Sequence, residues 1–337
     1  MNKKKILIIK LSSIGDLIHT FPAISDLQQH QPELEVDWLV DASLKEIPTW
    51  HPFINKVYPL SLRARKLKVV AEFLQVRKNN YDLIIDAQGL LKSAVTAKLL
   101  QAKIISGFAK SSIKEQLAVK FYQQTHDISK DLHAISRLRL LCAHSLNYTV
   151  DLNKIVYGLN LAEINTAPYP TLTPKPYVVF FYGTTWETKH WPPNYWKQLA
   201  LLLGRQGFEI QLTYSNLSQE RFAKELAIVS NAVRVLPPIT LNQSIGIIKN
   251  AHAVVSVDTG FGHIADAMGG NLVALYGPTD YQKVGMQSNL SKNLFSKFSC
   301  APCQAKKCTY KGYSLVQPAC FAELTPQMVC DAIAPLS

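Results

Sequence analysis

The chain has 337 residues, which is enough for two domains of roughly 100–200 residues each. Hydrophobic residues make up 47% and charged residues 18%, a composition typical of globular proteins that excludes a disordered, collagen-like or coiled-coil chain. The 36 Lys and Arg outnumber the 24 Asp and Glu, and the resulting charge of +12 favours anionic partners: nucleic acid, an acidic membrane surface or phosphorylated substrates.

The N-terminus imitates the basic and apolar regions of a secretory signal. Lys10 interrupts the apolar run and Asp16 follows, whereas a signal needs an uncharged stretch of roughly 7–15 residues. We therefore predict a buried first strand. No stretch approaches the roughly 20 apolar residues of a membrane-spanning helix. Six Cys are too few for a disulfide scaffold, so we expect reduced thiols and a cytosolic location.

Short apolar runs alternate with longer amphipathic stretches in both halves, a pattern typical of parallel sheets covered by helices. In the first half we predict strands at 5–10, 36–40, 83–86 and 103–107, and helices at 17–29, 65–78, 90–100 and 132–144. In the second half we predict strands at 177–182, 209–213, 233–236, 253–257 and 272–276, and helices at 195–205, 219–229 and 241–250.

A proline-rich segment, residues 166–176, separates the two halves, with four prolines in eleven positions. Because proline fixes φ and disfavours helix before it, this segment is predicted to be an extended linker. The sequence thus predicts an α/β fold with Rossmann-like domains at 1–165 and 177–337, their parallel sheets facing a central cleft. A C-terminal helix is expected to pack back on the first domain.

Positive charge is concentrated in two clusters, each compatible with a solvated surface or with one that faces an anion or a membrane. The second cluster, residues 283–311, has six Lys and no acidic residue. The first is opposed only by Glu72 and contains Arg63, Arg65, Lys66, Lys68, Arg77 and Lys78.

The turn after the first strand, residues 10–20, carries a carboxylate, Asp16. It lacks the spaced glycines of a dinucleotide site and the Gly-Lys-Ser/Thr of a P-loop. Asp16 is either a helix N-cap or a general base for an attacking hydroxyl. Lys10, Ser12 and Ser13 would bind an anionic acceptor beside it, unless they are ordinary polar residues at a strand end.

A second candidate follows the strand at 253–257, where Asp258 precedes Thr259 and Gly260. We predict that Thr259 and Gly260 open a helix whose free N–H groups and dipole favour a diphosphate. The alternative is a simple cap and tight turn. His263, one turn into this helix, is placed to reach the same anion.

A third candidate follows the strand at 177–182. Thr184 and Thr185 supply hydroxyls, and Lys189 would offset negative charge on a leaving diphosphate. A surface lysine flanked by packing tryptophans is the alternative for this segment. Glu220 would meet a ribose hydroxyl or favour its own helix dipole.

Four cysteines follow at Cys300, Cys303, Cys308 and Cys320. The leading pair resembles half of a zinc knuckle, but the other spacings match no standard site. Reduced thiols that pack a loop are the default interpretation, and we expect no metal.

Several blocks spread over the chain resemble the lipopolysaccharide heptosyltransferases, most closely those of type I. Each is weak alone, but they occur in the order of the family: 12–16 (SSIGD), 19–23 (HTFPA), 36–40 (VDWLV), 47–51 (IPTWH), 85–90 (IDAQGL), 189–192 (KHWP), 257–260 (VDTG) and 276–280 (YGPTD).

The resemblance implies a GT-B fold and inverting transfer of L-glycero-D-manno-heptose from ADP-heptose to Kdo of the lipid A inner core. It implies no cofactor and a peripheral position on the cytoplasmic face of the inner membrane. Asp16 would be the base and Lys189 a second catalytic residue. The residues implied to hold the donor are Thr184, Thr185, Lys189, Glu220, Asp258, Thr259, Gly260 and His263. Those implied to face the acceptor are Lys10, Ser12, Ser13, Arg63, Arg65, Lys66 and Arg137.

Alternatives remain at the level of the sequence. The cysteine-containing stretch departs from the type I pattern, so a heptosyltransferase II or a family member with another acceptor is one alternative. A non-catalytic nucleotide-sugar-binding protein is another. A nucleic-acid-binding protein is disfavoured, because recognisable modules and an aromatic stacking platform are missing.

Overall fold

The computed structural model describes residues 3–61, 66–164, 166 and 175–333. The chain forms two compact units, Met1–Ile164 and Asn165–Ser337. The proline-rich segment 166–176 begins next to this division, but its residues 167–174 lie outside the described part of the chain.

The first unit contains a sheet of parallel strands in the order β3-β2-β1-β4-β5-β6. The strands are β1 (Lys5–Ile9), β2 (Glu35–Asp41), β3 (Ile54–Leu60), β4 (Leu83–Asp86), β5 (Ile104–Phe108) and β6 (Gln124–His126). The helices are α1 (Ile14–His30), α2 (Lys66–Arg77), α3 (Leu91–Leu100) and α4 (Ala134–Leu146).

The central strand of this sheet, β1, explains where the core lies. It pairs with β2 and with β4, so Ile6 is aligned with Val36 on one side and Leu83 on the other. Residues 6–9 are fully buried, as expected for an apolar strand covered on both faces. Because all strands are parallel, their carboxyl ends meet at one edge, where ligands of such sheets bind.

The second unit repeats this plan with the strand order β12-β11-β10-β7-β8-β9. The strands are β7 (Tyr177–Phe181), β8 (Glu209–Leu212), β9 (Val233–Val235), β10 (Ala253–Val257), β11 (Leu272–Tyr276) and β12 (Ser291–Phe295). The helices are α5 (Pro193–Arg205), α6 (Leu217–Val229), α7 (Leu241–Lys249), α8 (Gly260–Ala267), α9 (Tyr281–Val284) and α10 (Pro326–Ala332).

Aromatic side chains anchor the core of the second unit. Trp191 and Trp196 are buried in a T-shaped pair 5.0 Å apart, and Trp191 Nε1 donates to the Leu324 carbonyl at 2.9 Å. Val329 and Cys330 of α10 belong to the same core, and α10 packs on α5. α10 therefore buries its apolar face within its own unit, and the packing of the C-terminal helix on the first domain stays a prediction.

The two parallel sheets confirm the predicted α/β class with two Rossmann-like domains. The structure adds the strands β3, β6 and β12, each at an edge of its sheet. None of the described helices combines the length and apolar character that a membrane span requires.

Candidate active site

Asp16 lies in the first turn of α1, directly after β1. Ser13 is the N-cap of this helix, and Asp16 Oδ2 accepts hydrogen bonds from the Ser13 N–H and hydroxyl, both at 2.9 Å. Its Oδ1 lies 3.5 Å from Nζ of the buried Lys10. Asp16 therefore completes a capping box from the third helical position, while its side chain remains 46% exposed.

The surroundings of Asp16 keep its carboxylate ionised. Burial by itself would raise its pKa, but Lys10, the hydrogen bonds from Ser13 and the neighbouring His19 lower the pKa to about 2. An ionised, partly exposed carboxylate at the carboxyl edge of a parallel sheet is able to accept a proton from a bound hydroxyl.

A second loop supports the turn that carries Asp16. Gln88 Oε1 accepts hydrogen bonds from the N–H groups of Leu11 and Ser12 at 2.9 and 3.2 Å. Gln88 is in turn fixed by Asp86, whose Oδ1 accepts from the Gln88 N–H at 3.0 Å. Asp86 and Gln88 lie in the family block 85–90, but the sequence alone indicated no role for them.

Asp86 is itself fully buried at the end of β4. Its Oδ2 accepts from the hydroxyls of Tyr122 and Ser93 at 2.6 and 2.8 Å. Burial raises the pKa of Asp86, and these hydrogen bonds oppose the rise. The carboxyl group is therefore held as a fixed acceptor that shapes the loop after β4.

Lys10 is oriented by the backbone around it. Its Nζ donates to the Ala87 carbonyl at 3.2 Å, and its own carbonyl accepts from Trp38 Nε1 at 3.0 Å. A residue of β2 thus holds the backbone of Lys10, and the loop after β4 holds its ammonium group next to Asp16. Ser12 and Ser13, which precede the helix, are exposed at the same edge.

The remaining acceptor candidates are distributed differently. Arg137 lies one turn into α4, with its guanidinium 4.8 Å from the Phe108 ring centre and its Nη2 donating to the Ser112 carbonyl at 2.5 Å. The first turn of α4 faces α1 through the His19 and His133 rings, 5.6 Å apart. Arg63 and Arg65 lie outside the described residues, as does the side chain of Lys66 at the start of α2.

In the second unit, Asp258 lies at the end of β10 between two basic side chains. Its Oδ2 is 2.7 Å from Lys189 Nζ and its Oδ1 is 3.6 Å from His263 Nε2. Asp258 is 7% exposed. Burial would raise its pKa, but His263 and Lys189 together lower it, so the carboxylate is ionised.

The helix α8 begins immediately after Asp258, with Thr259 as its N-cap. The Thr259 side chain makes no capping hydrogen bond, and Gly260 is partly exposed. The ring of Phe261 stacks on Phe181 of β7 at 4.8 Å, which fixes the helix start over the neighbouring strand. The first N–H groups of α8 are thus directed at the carboxyl edge, where they favour an anion.

The loop after β7 brings the third group of residues to this edge. Thr184 is partly buried and Thr185 is exposed. Burial lowers the pKa of His190, whose ring donates hydrogen bonds to the carbonyls of Thr184 and Tyr182. Lys189 Nζ lies 4.5 Å from the Trp186 ring centre. His190 therefore holds the two ends of the loop that contains Lys189 together.

Glu220 lies in the first turn of α6 and pairs with Lys224 at 2.7 Å. The preceding residue, Gln219, touches the end of β7: its carbonyl accepts from the Tyr182 hydroxyl at 2.9 Å, and a Cβ on Gly183 would clash with its side chain. The start of α6 is therefore placed beside the loop that holds Thr184. The structure brings all the donor candidates to the carboxyl edge of one sheet.

The four cysteines are free thiols, of which Cys300, Cys303 and Cys308 are exposed and Cys320 is buried. Burial, with the neighbouring thiols, raises the pKa of Cys320 to about 12, so this thiol is protonated. In the part of the chain that the structure describes, no three His, Cys, Asp or Glu side chains are placed to hold a metal ion.

Comparison with known proteins identifies the family of this chain. Residues 70–314 match the model of glycosyltransferase family 9 (heptosyltransferase). The chain belongs to glycosyltransferase family 9. It is 36% identical to lipopolysaccharide heptosyltransferase 1 of Pseudomonas aeruginosa, over 98% of this chain and 97% of that protein. It is 37% identical to the Salmonella typhimurium protein of the same name, over 83% and 90% of the two chains.

A solved structure agrees with this assignment. The E. coli heptosyltransferase WaaC with ADP matches with a TM-score of 0.77 and 34% identity, over 86% of this chain and 92% of that one. The match confirms the GT-B class that the sequence resemblance implied, and with the family it establishes this chain as a glycosyltransferase.

Proposed function

We propose that this family 9 enzyme transfers L-glycero-D-manno-heptose from ADP-heptose to Kdo of the lipid A inner core, as a heptosyltransferase I. The relatives named lipopolysaccharide heptosyltransferase 1 support this, as do the WaaC structures with ADP and with ADP-2-deoxy-2-fluoro heptose. The observation that carries the proposal is the Lys189–Asp258–His263 cluster at the start of α8, which suits a diphosphate.

The second unit would hold the donor. The N–H groups at Thr259 and Gly260 would bind the diphosphate, and Lys189 and His263 would face it. Thr184 and Thr185 would donate hydroxyl hydrogen bonds, and Glu220 would accept from a ribose hydroxyl. Lys189 serves catalysis as well as binding, because negative charge grows on the diphosphate as the anomeric C–O bond breaks.

The first unit would hold the acceptor and the base. The oxygen of the acceptor hydroxyl forms the new bond to the anomeric carbon as ADP departs. The Asp16 carboxylate accepts the proton that this hydroxyl loses. Attack opposite to the leaving group inverts the anomeric centre. A carboxylate with a pKa of about 2 is a weak base, so proton transfer accompanies formation of the C–O bond instead of preceding it.

The acceptor is anionic, and the excess of basic residues suits it. Lys10, Ser12, Ser13, Arg63, Arg65, Lys66 and Arg137 would face its phosphates and carboxylates. The net charge of +12 also favours an anionic membrane, so the enzyme is proposed to act as a peripheral protein on the cytoplasmic face of the inner membrane.

A product assay tests the proposed acceptor. Purified protein is incubated with ADP-heptose and either Kdo-lipid A or Kdo-lipid A that already carries one heptose, and product mass and linkage are determined. A heptosyltransferase I adds one heptose to the first acceptor. Transfer to the second acceptor alone identifies a heptosyltransferase II, and ADP-heptose binding without turnover on either acceptor supports a non-catalytic binding protein.

The lowered pKa of Asp16 makes a prediction for the pH profile. The active form of the base is the carboxylate, so activity that depends on Asp16 is lost only as the pH falls through about 2. Between about pH 5 and pH 9, kcat/KM should therefore show no acidic limb that belongs to Asp16. Ser13→Ala removes one hydrogen bond to this carboxylate. An acidic limb that shifts upward in this variant would show that Asp16 titrates in that range.

A further inference from the structure

A segment after β12 crosses the donor-binding edge of the second unit. We call residues 299–311 the strap. The Gln304 N–H donates to the Pro278 carbonyl at 2.8 Å, just after β11. The next residue, Ala305, accepts a hydrogen bond at 2.5 Å from the hydroxyl of Thr188, in the loop after β7. Because β10 lies between β11 and β7, these adjacent anchors hold the strap across the end of β10, where Asp258 lies.

The residue after these anchors is a lysine. Lys306 Nζ lies 5.7 Å from the centre of the Trp186 ring, and Lys189 Nζ lies 4.5 Å from the centre of the same ring. Lys189 is neutralised by Asp258. Lys306 is exposed, and among the described residues no carboxylate lies within salt-bridge distance of it. The strap itself contains no acidic residue.

We propose that Lys306 is a further donor-binding residue, which contacts the diphosphate of the nucleotide together with Lys189. The aromatic face holds the lysine stem near the site, and the free ammonium favours a phosphate oxygen. The two ammonium groups lie beside one ring, so a diphosphate bound between them would be attracted by both. The proposal deepens the proposed function, because it rests on a nucleoside diphosphate as the ligand.

The test compares binding of ADP and adenosine by isothermal titration calorimetry. For Lys306→Ala we expect ADP affinity about tenfold lower, as for a lost charge-assisted hydrogen bond, with adenosine affinity unchanged. Lys307→Ala is the matched control, since it removes the same charge from the neighbouring exposed residue. Its ADP affinity should stay within about twofold of the wild type. Unchanged ADP affinity in Lys306→Ala, or equal losses in both variants, overturns the proposal.

Thr188 gives an independent test, because it positions the strap without itself contacting the nucleotide. Thr188→Val keeps the size of this buried side chain but removes the hydrogen bond to Ala305. We expect a smaller loss of ADP affinity than in Lys306→Ala, rescued by Thr188→Ser, which keeps the hydroxyl. The double variant Thr188→Val/Lys306→Ala should lose no more ADP affinity than Lys306→Ala alone, because both changes act through Lys306. Additive losses of ADP affinity would contradict this coupling.

This readout separates the proposal from the proposed function. Binding of ADP is measured without an acceptor and without turnover. Normal ADP binding in Lys306→Ala overturns the role of Lys306 and leaves heptose transfer intact as a proposal. Failure of heptose transfer by the wild type, with the expected differences in ADP binding, overturns the transfer reaction and leaves the role of Lys306 in place.

Discussion

Replacing Asp16 with Asn is expected to lower kcat for heptose transfer by about 10²–10⁴-fold, the range attributed to general acid–base catalysis. The amide keeps an oxygen that accepts the hydrogen bonds from Ser13 but cannot take up the acceptor proton. Affinity for ADP should stay near the wild-type value, because the proposed donor-binding residues belong to the other unit. Steady-state kinetics and calorimetry with ADP measure the two effects.

Asp16→Ala separates the catalytic role from the capping role. Alanine removes the base and the capping box together, so it should also destabilise the start of α1, by about 0.5–2 kcal/mol on the scale of helix caps. If capping were the only role of Asp16, the Asn variant would retain activity and the Ala variant would lose it in proportion to stability. Equal, severe losses of kcat in both variants, with a lowered melting temperature only in the Ala variant, identify the base.

The central strands of each sheet could be predicted because they are continuous apolar runs in the sequence. Residues 6–9 and 253–257 are buried on both faces and contain mostly Ile, Leu and Val. The edge strands lack that signal. β6 consists of three polar residues, and β12 reads SKNLF with no alternation. Only pairing with a neighbouring strand makes these segments extended, and pairing is not encoded locally.

Of two further edge strands, the sequence pattern predicted β9 but not β3. β9 was predicted, because Val233 and Val235 alternate with a charged residue. β3 was missed, because Asn55, Lys56 and Pro59 interrupt its apolar positions. The missed strand pairs on one side only, with β2.

Some features of the candidate site could also be predicted from the sequence, whereas others could not. Placing Asp258 and Lys189 at one sheet edge follows from parallel topology, since Asp258 directly follows one predicted strand and Lys189 lies in the loop after another. The ion pair between them, and the contacts of Gln88 with Leu11 and Ser12, join residues far apart in the sequence. Such contacts depend on tertiary packing, so sequence patterns do not indicate them. In the sequence, Lys306 is only one lysine of a basic cluster. The hydrogen bonds of Gln304 and Ala305 in the structure show that it lies near Trp186.

The second large effect is expected for Lys189. Replacing it with Met keeps the approximate length of the side chain and removes the charge that is proposed to face the diphosphate, so kcat/KM for ADP-heptose should fall by about 10²–10³-fold. Both the donor KM and kcat should change, because the lysine serves ground-state binding and the developing charge. An unchanged donor KM and kcat would exclude contact with the diphosphate.

Because Lys189 forms an ion pair with Asp258, the Lys189→Met variant needs a control that separates loss of stability from loss of catalysis. The substitution Lys189→Met would leave the buried Asp258 carboxylate with only His263 beside it, and breaking a buried ion pair costs about 3–5 kcal/mol of stability. Loss of activity could then reflect partial unfolding. The double variant Lys189→Met with Asp258→Asn removes both charges, so we expect its melting temperature to recover towards the wild-type value while transfer stays low. Recovery of transfer together with stability would mean that Lys189 maintains the fold of the loop after β7 and does not act on the leaving group.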